Sequence, residues 1–151
     1  MESFIRDVAH RIWLKNLKNA SFFMKESELD SNHILFNNKK ISRVYIIATV
    51  IQKFENDDNS YAAITIDDGS SDIRVKSWKE DTKLINNFMV GDLVLVVGRV
   101  RKYEDEIYIS PEIEKKVNPN WELVHKLILF NENMQEEKEE IFEEPGEIRF
   151  K

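Results

Sequence analysis

Between Arg43 and Ser110 the chain is a succession of short apolar or alternating runs, each closed by turn residues, and this punctuation constrains the fold most. Val44 to Val50 is β-branched and aromatic, which predicts a strand extending as far as Phe54. Asn56-Asp57-Asp58-Asn59 reads as a turn, Tyr61 to Ile66 as a second strand, and Asp67-Asp68-Gly69-Ser70 as a second turn, its Asp-Gly pair supplying a positive-φ position. Ser71 to Trp78 alternates, with Ile73, Val75 and Ser77 on one face and Arg74, Lys76 and Trp78 on the other. Lys79 to Met89 reads as a short helix. Val90-Gly91-Asp92 turns the chain into an apolar strand, Leu93 to Arg101, with Gly98 inside it where a closing barrel bends sharply. Tyr103 to Glu106 turns into a fifth strand, Ile107 to Ser110.

Three strands, a helix and two strands is the order of a five-stranded Greek-key barrel of the OB type. The expected fold is therefore mostly β: an OB barrel over residues 43–118 between an N-terminal and a C-terminal helix. Residues 1–42 read as a helical extension, with Ile5, Val8, Ala9, Ile12 and Trp13 at helical spacing up to about Asn19. Residues 20–42 then read as irregular, apart from an apolar run at Ile34-Leu35-Phe36 and a turn at Asn37-Asn38. Pro119 opens the last helix, expected over 119–133. Residues 134–151 are expected to form a disordered acidic tail broken by Pro145-Gly146.

Charge is unevenly placed. The chain carries −6 overall, yet the eight glutamates and three cations from Glu132 to Lys151 account for −5 of it. The first 131 residues sum to only −1, so the folded part retains cations enough for a basic groove. The absence of cysteine excludes disulfides, thiolate zinc sites and cysteine nucleophiles. His10, His33 and His125 lie far apart with no metal-ligand spacing, and no phosphate loop, nucleophile elbow or His-Glu zinc motif occurs. No cofactor, metal or enzymatic activity is expected. No run reaches the roughly 20 apolar residues of a membrane span. The expected location is cytoplasmic or nucleoid-associated.

Two strands repeat one device. Arg74 and Lys76 precede Trp78, and Arg99 and Arg101 precede Tyr103, each set on the face opposite the apolar residues of its strand. A single strand of nucleic acid offers a negative backbone and unstacked base faces, so cations followed by a flat ring suit it. Trp78 and Tyr103 are the candidate stacking rings. Arg74, Lys76, Arg101 and Lys102 are the candidate phosphate contacts, with Arg99 beside them and Lys53 extending the groove from the first strand. Tyr45 and Tyr61 read as core or cross-strand residues. On the last helix, Leu123, Leu127, Phe130 and Met134 form one apolar strip and Trp121, Val124 and Ile128 a second. One strip suffices to dock on a barrel, so the second is expected to meet a partner.

The stretch Ile73-Arg74-Val75-Lys76-Ser77-Trp78 after an Asp-Asp-Gly turn, together with Val90 to Tyr103 after a short helix, resembles the central OB domain of the middle subunit of replication protein A. The resemblance spans about residues 43–135. Arg6-Asp7-Val8-Ala9-His10-Arg11 is similar to the start of archaeal replication-protein-A-associated OB proteins. The family places stacking aromatics where this chain has Trp78 and Tyr103, and its trimers assemble through helices that follow the OB domains. No counterpart of the winged-helix domain of eukaryotic middle subunits is expected in residues 1–151. The resemblance implies a single-stranded-DNA-binding subunit of a replication protein A-like heterotrimer, acting in DNA replication, repair and recombination. Two other readings stay open: an OB scaffolding subunit with little nucleic-acid contact, and an RNA-binding OB module.

Overall fold

The computed structural model describes residues 8–26 and 31–143. The barrel strands are β5 (Arg43–Glu55), β6 (Tyr61–Asp67), β7 (Asp72–Trp78), β8 (Leu93–Tyr103) and β9 (Glu106–Lys116). They are preceded by β1 (Ala9–Arg11), α1 (Leu14–Asn19), β2 (Ser21–Phe23), β3 (His33–Phe36) and β4 (Lys39–Ile41). A 3-10 turn at Lys79–Thr82 and α2 (Lys83–Asn86) link β7 to β8, and α3 (Pro119–Glu143) follows the barrel.

β5 pairs antiparallel with both β6 and β8, β8 with β9, and β9 meets β7 in parallel at Val75 and Ile109, so the sheet closes on itself. This is the OB barrel that the strand order predicts. Its interior holds Val44, Ile46, Ile64, Ile66, Val75, Val96 and Ile109, each fully buried. Gly98 stands at a bulge between β8 and β9. A Cβ there would press on the Ser110 carbonyl and lie 2.8 Å from Ile109 Cγ2 and 2.9 Å from Pro111 Cα. Only a glycine lets the two strands approach so closely.

The N-terminal region corrects the expected helix. Among the described residues Ala9–Arg11 is a strand, parallel to Arg43–Tyr45, and the helix is confined to Leu14–Asn19; Ile5 lies outside the described residues. The cause lies in β5: its first residues pair with β8 on one side, while β6 reaches it only from Thr49 onward. The open edge is filled by β1, satisfying backbone groups that a helix would have left bare. Ile12, Leu14 and Leu17 then enter the core. The expectation of an irregular stretch over 20–42 is likewise corrected: among its described residues β2, β3 and β4 form a small antiparallel sheet. Asn37 and Asn38, at φ 51° and 63°, make the two-residue hairpin turn that joins β3 to β4. Buried Asp68 ties the extension to the barrel, since its Oδ2 accepts from the Leu14 N–H at 3.0 Å and its Oδ1 from Ser70.

Helix α3 continues ten residues past the expected end near Asn133, to Glu143; residues 144–151 of the expected disordered tail lie outside the described residues. Its docking also departs from expectation. Neither apolar strip packs on the barrel as a unit. The contact is made by His125 and Leu129, one turn apart and buried, while of the two strips only Ile128 is partly covered. Trp121, Leu123, Val124, Leu127, Phe130 and Met134 are exposed. His125 lies against Tyr45, and Arg11, whose guanidinium sits 4.2 Å from the centre of the Tyr45 ring, also bonds His125.

Candidate nucleic-acid interface

The outer face of β5, β6, β7 and β9 carries an aromatic row. Phe54 lies 5.9 Å from Tyr61, Tyr61 5.3 Å from Trp78, and Trp78 6.0 Å from Tyr108, measured between ring centroids. Strand register puts them there: Tyr61 stands directly opposite Trp78, and Tyr108 opposite Arg101. The rings tilt by 44–67° to one another, with Tyr61 and Tyr108 half-buried between their neighbours. Phe54 is 55% and Trp78 46% exposed. Large rings left wet on a sheet face are costly without a partner, and a stacked base is a suitable one. Lys79, at φ 56°, ends β7 by turning the chain away, with its N–H bonded to the Ser60 carbonyl at 2.8 Å, directly after Trp78.

Beside the row lies a charged cluster centred on Glu106. Arg74 donates to both of its oxygens, at 2.7 and 3.1 Å, and Lys76 to one of them at 2.7 Å. Lys76 is nearly buried and sits 4.7 Å above the Tyr108 ring. Burial pushes the Glu106 carboxyl up, but the hydrogen bonds and charges of Lys76 and Arg74 outweigh it and hold the group below the usual carboxylate range. The carboxylate thus occupies the cations as a phosphate would.

The sequence-predicted residues fall into three places. Trp78, Arg74, Lys76 and Arg101 share the face of the aromatic row. Tyr103 and Lys102 are exposed at the β8–β9 turn, Tyr103 directly opposite Glu106. Arg99 and Lys53 lie apart from both. Arg99 sits opposite Arg43 at the β5–β8 pairing, and both arginines approach Glu112, at 3.6 and 2.7 Å. Lys53 is on the interior side of β5, opposite Ile64; its ammonium donates to the Asn86 carbonyl at 2.7 Å and pairs with Glu55 at 3.3 Å. The reason is a bulge between Val50 and Gln52. Up to Val50 the even-numbered residues of β5 face the interior; past the bulge the faces exchange, so Lys53 turns inward and Phe54 outward. Phe54, Tyr61, Tyr108 and Glu106 escape a reading of single strands. The signal for Tyr61 is its antiparallel alignment with Trp78 across the Asp-Gly turn.

Among the described residues, no group of three or more histidine and acidic side chains could hold a metal ion, and no helix is long and apolar enough to cross a membrane.

Solved structures share this architecture at low identity. A replication protein A heterotrimer bound to single-stranded DNA contains a chain that superposes with a TM-score of 0.70 at 16% identity, covering 85% of this chain and 98% of its own. The Stn1–Ten1 complex of S. pombe gives 0.73 at 15% identity, covering 89% and 98%. Yeast replication protein A bound to single-stranded DNA gives 0.62 at 21%, covering 82% and 88%. No curated protein matches by sequence. The sequence family described as the OB-fold nucleic acid binding domain matches residues 44–120, just over half of the 151. That stretch runs from the start of the barrel to the start of α3, and the chain belongs to the OB-fold nucleic-acid-binding domain family.

Proposed function

We propose that the chain binds single-stranded DNA across the outer face of β5, β6, β7 and β9, as an intracellular subunit of a replication protein A-like heteromeric complex in DNA replication, repair and recombination. Its role in this reading is binding, not catalysis. The observation that carries the reading is the continuous row Phe54–Tyr61–Trp78–Tyr108, flanked by Arg74, Lys76 and Arg101. Successive bases stack on successive rings, and the cations follow the backbone. The similarity to chains of replication protein A assemblies bound to single-stranded DNA supports the same reading. So does the exposed apolar surface of α3, which suits burial against another subunit.

A fluorescent oligonucleotide titrated against wild type, Trp78→Ala and Phe54→Ala tests it, with matched DNA and RNA strands at stated salt. Each substitution is expected to cost roughly 1–3 kcal/mol of binding while the barrel stays folded. Unchanged affinity in both variants overturns the stacking assignment. Equal or stronger binding of RNA favours an RNA-binding module. No binding by the wild type leaves the scaffolding reading, which the exposed faces of α3 favour by themselves.

A further inference from the structure

The face of the aromatic row does not end at open solvent. A shallow groove beside Phe54 and Tyr61 is lined at its far end by Gln52, Thr65 and Arg74. The same three residues line a second, larger cleft of about 660 Å³. The two hollows therefore meet and form one trough. The second cleft has a wall that the barrel does not supply: Lys18 of α1 and Ser21 and Phe22 of β2 face Lys102 and Asp105 of the β8–β9 hairpin. The N-terminal extension, which closes the edge of β5 and fills part of the core, thus also builds one side of a surface channel.

The chemistry of the cleft suits a nucleotide chain. Lys18, Arg74 and Lys102 bring positive charge; Asp72, Asp105 and Glu106 bring acceptors. Lys18 pairs with Asp72 at 3.4 Å, with both side chains well exposed. Exposed ion pairs of this kind are weak and exchange readily for a phosphate. The carboxylates suit the exocyclic amino groups of bases, which donate hydrogen bonds. Phe22 adds an apolar patch to the wall, and the volume falls within the ~300–1,000 Å³ of clefts that hold small ligands. A strand lying on Trp78, Tyr61 and Phe54 and following the trough reaches this cleft at Arg74.

We propose that single-stranded nucleic acid bound on the aromatic row continues past Arg74 into this cleft, where Lys18 and Lys102 hold the backbone of the next nucleotides. The inference rests on the function proposed above. A length series of oligonucleotides, from about 4 nucleotides upward, tests it on the full chain with Lys18→Glu and Ser21→Trp, both at exposed positions. Wild-type affinity should rise a second time once the strand outgrows the aromatic row. Both variants should bind the shortest strands within about twofold of wild type and lose roughly tenfold on longer ones, the effect of one nucleotide's contacts. Ser21→Trp changes no charge, so it separates occupation of the cleft from a general field effect. Variants that follow the wild-type curve at every length, or that weaken short and long strands equally, overturn the inference and leave the proposed function standing. A wild type that binds no strand of any length overturns the function itself.

Discussion

At the scale of single residues, Glu106 has the most to say about how the face works. One carboxylate engages Arg74 through two bonds and Lys76 through a third. It keeps two cations ordered beside the rings, and it competes with any phosphate that approaches them. Because Glu106 is about one-third exposed, the cluster contributes no more than about 1 kcal/mol to stability. Glu106→Gln retains an acceptor and removes the competing charge. It should raise single-strand affinity severalfold at low salt and shift the melting temperature little. Oligonucleotide titration at two salt concentrations checks this, and a loss of affinity would mean that the carboxylate positions the cations rather than masks them. The residue scale also shows where sequence reading stops. Trp78, Arg74 and Lys76 are legible because β7 alternates without interruption from Asp72 to Trp78. Phe54 and Lys53 are not, because their faces depend on a bulge that leaves no mark in the hydropathy pattern. Glu106 is also hidden, since its partners stand 30 and 32 residues earlier.

At the scale of elements, long alternating strands were readable and short ones were not. β8 and the place of Gly98 follow from the apolar run Leu93-Val94-Leu95-Val96-Val97 that opens the strand and the alternating cations that close it. β1 to β4 have three or four residues each, too few to show a period, and their pairing depends on an open edge of β5. The bulge glycine gives a direct prediction. Gly98→Ala forces β9 away from β8 and should cost about 1–3 kcal/mol or more, read as a lowered urea midpoint. The docking of α3 gives another. Arginine can only donate, so His125 Nδ1 accepts from Arg11 at 2.9 Å and the ring's proton sits on Nε2, which is buried without a partner. Burial, and then the Arg11 charge, lower the His125 pKa to about 4, with Lys126 adding to the shift and Asp68 opposing it. The unfolded histidine takes up its proton near pH 6.5, so this contribution to stability is present above that pH and is lost as pH falls toward 4. Glu114 acts with the opposite sign. It lies opposite fully buried Val96, and both its oxygens are buried without partners. Burial raises its pKa from 4.5 to about 8, so its contribution is present below pH 4.5 and is lost as pH rises toward 8. Between about pH 4.5 and 6.5 the two slopes, each near 1.4 kcal/mol per pH unit, oppose each other. His125→Gln should therefore turn a flat wild-type profile into one that falls as pH rises, and Glu114→Gln into one that climbs. Urea unfolding across that window reads both, and parallel profiles for all three proteins would remove these groups as the source.

At the scale of the whole molecule, the barrel and its N-terminal extension complete one core while α3 leaves most of its apolar surface uncovered. The helix holds to the barrel through His125 and Leu129, and this leaves Leu123, Leu127 and Phe130 each about 60% exposed, with Trp121, Val124 and Met134 beside them. Burying a side chain the size of Leu or Phe is worth roughly 1.5–3 kcal/mol. Three such residues left wet forgo several kcal/mol and favour association. Another subunit's surface would recover that energy. It would also solve a second problem, since one OB barrel contacts only ~4–16 nucleotides. Joining barrels through α3 raises affinity for long strands by effective concentration, without any new contact to the nucleic acid. Leu127→Glu with Phe130→Glu tests the link, because neither residue takes part in the His125–Leu129 contact and the barrel should stay folded. The double variant should lose co-purification with partner subunits. Its affinity for a short oligonucleotide should match that of the isolated wild-type chain, while affinity for a long one falls below that of the assembled wild type. A double variant that still assembles, or that keeps long-strand affinity after losing its partners, would show that α3 does not join the barrels.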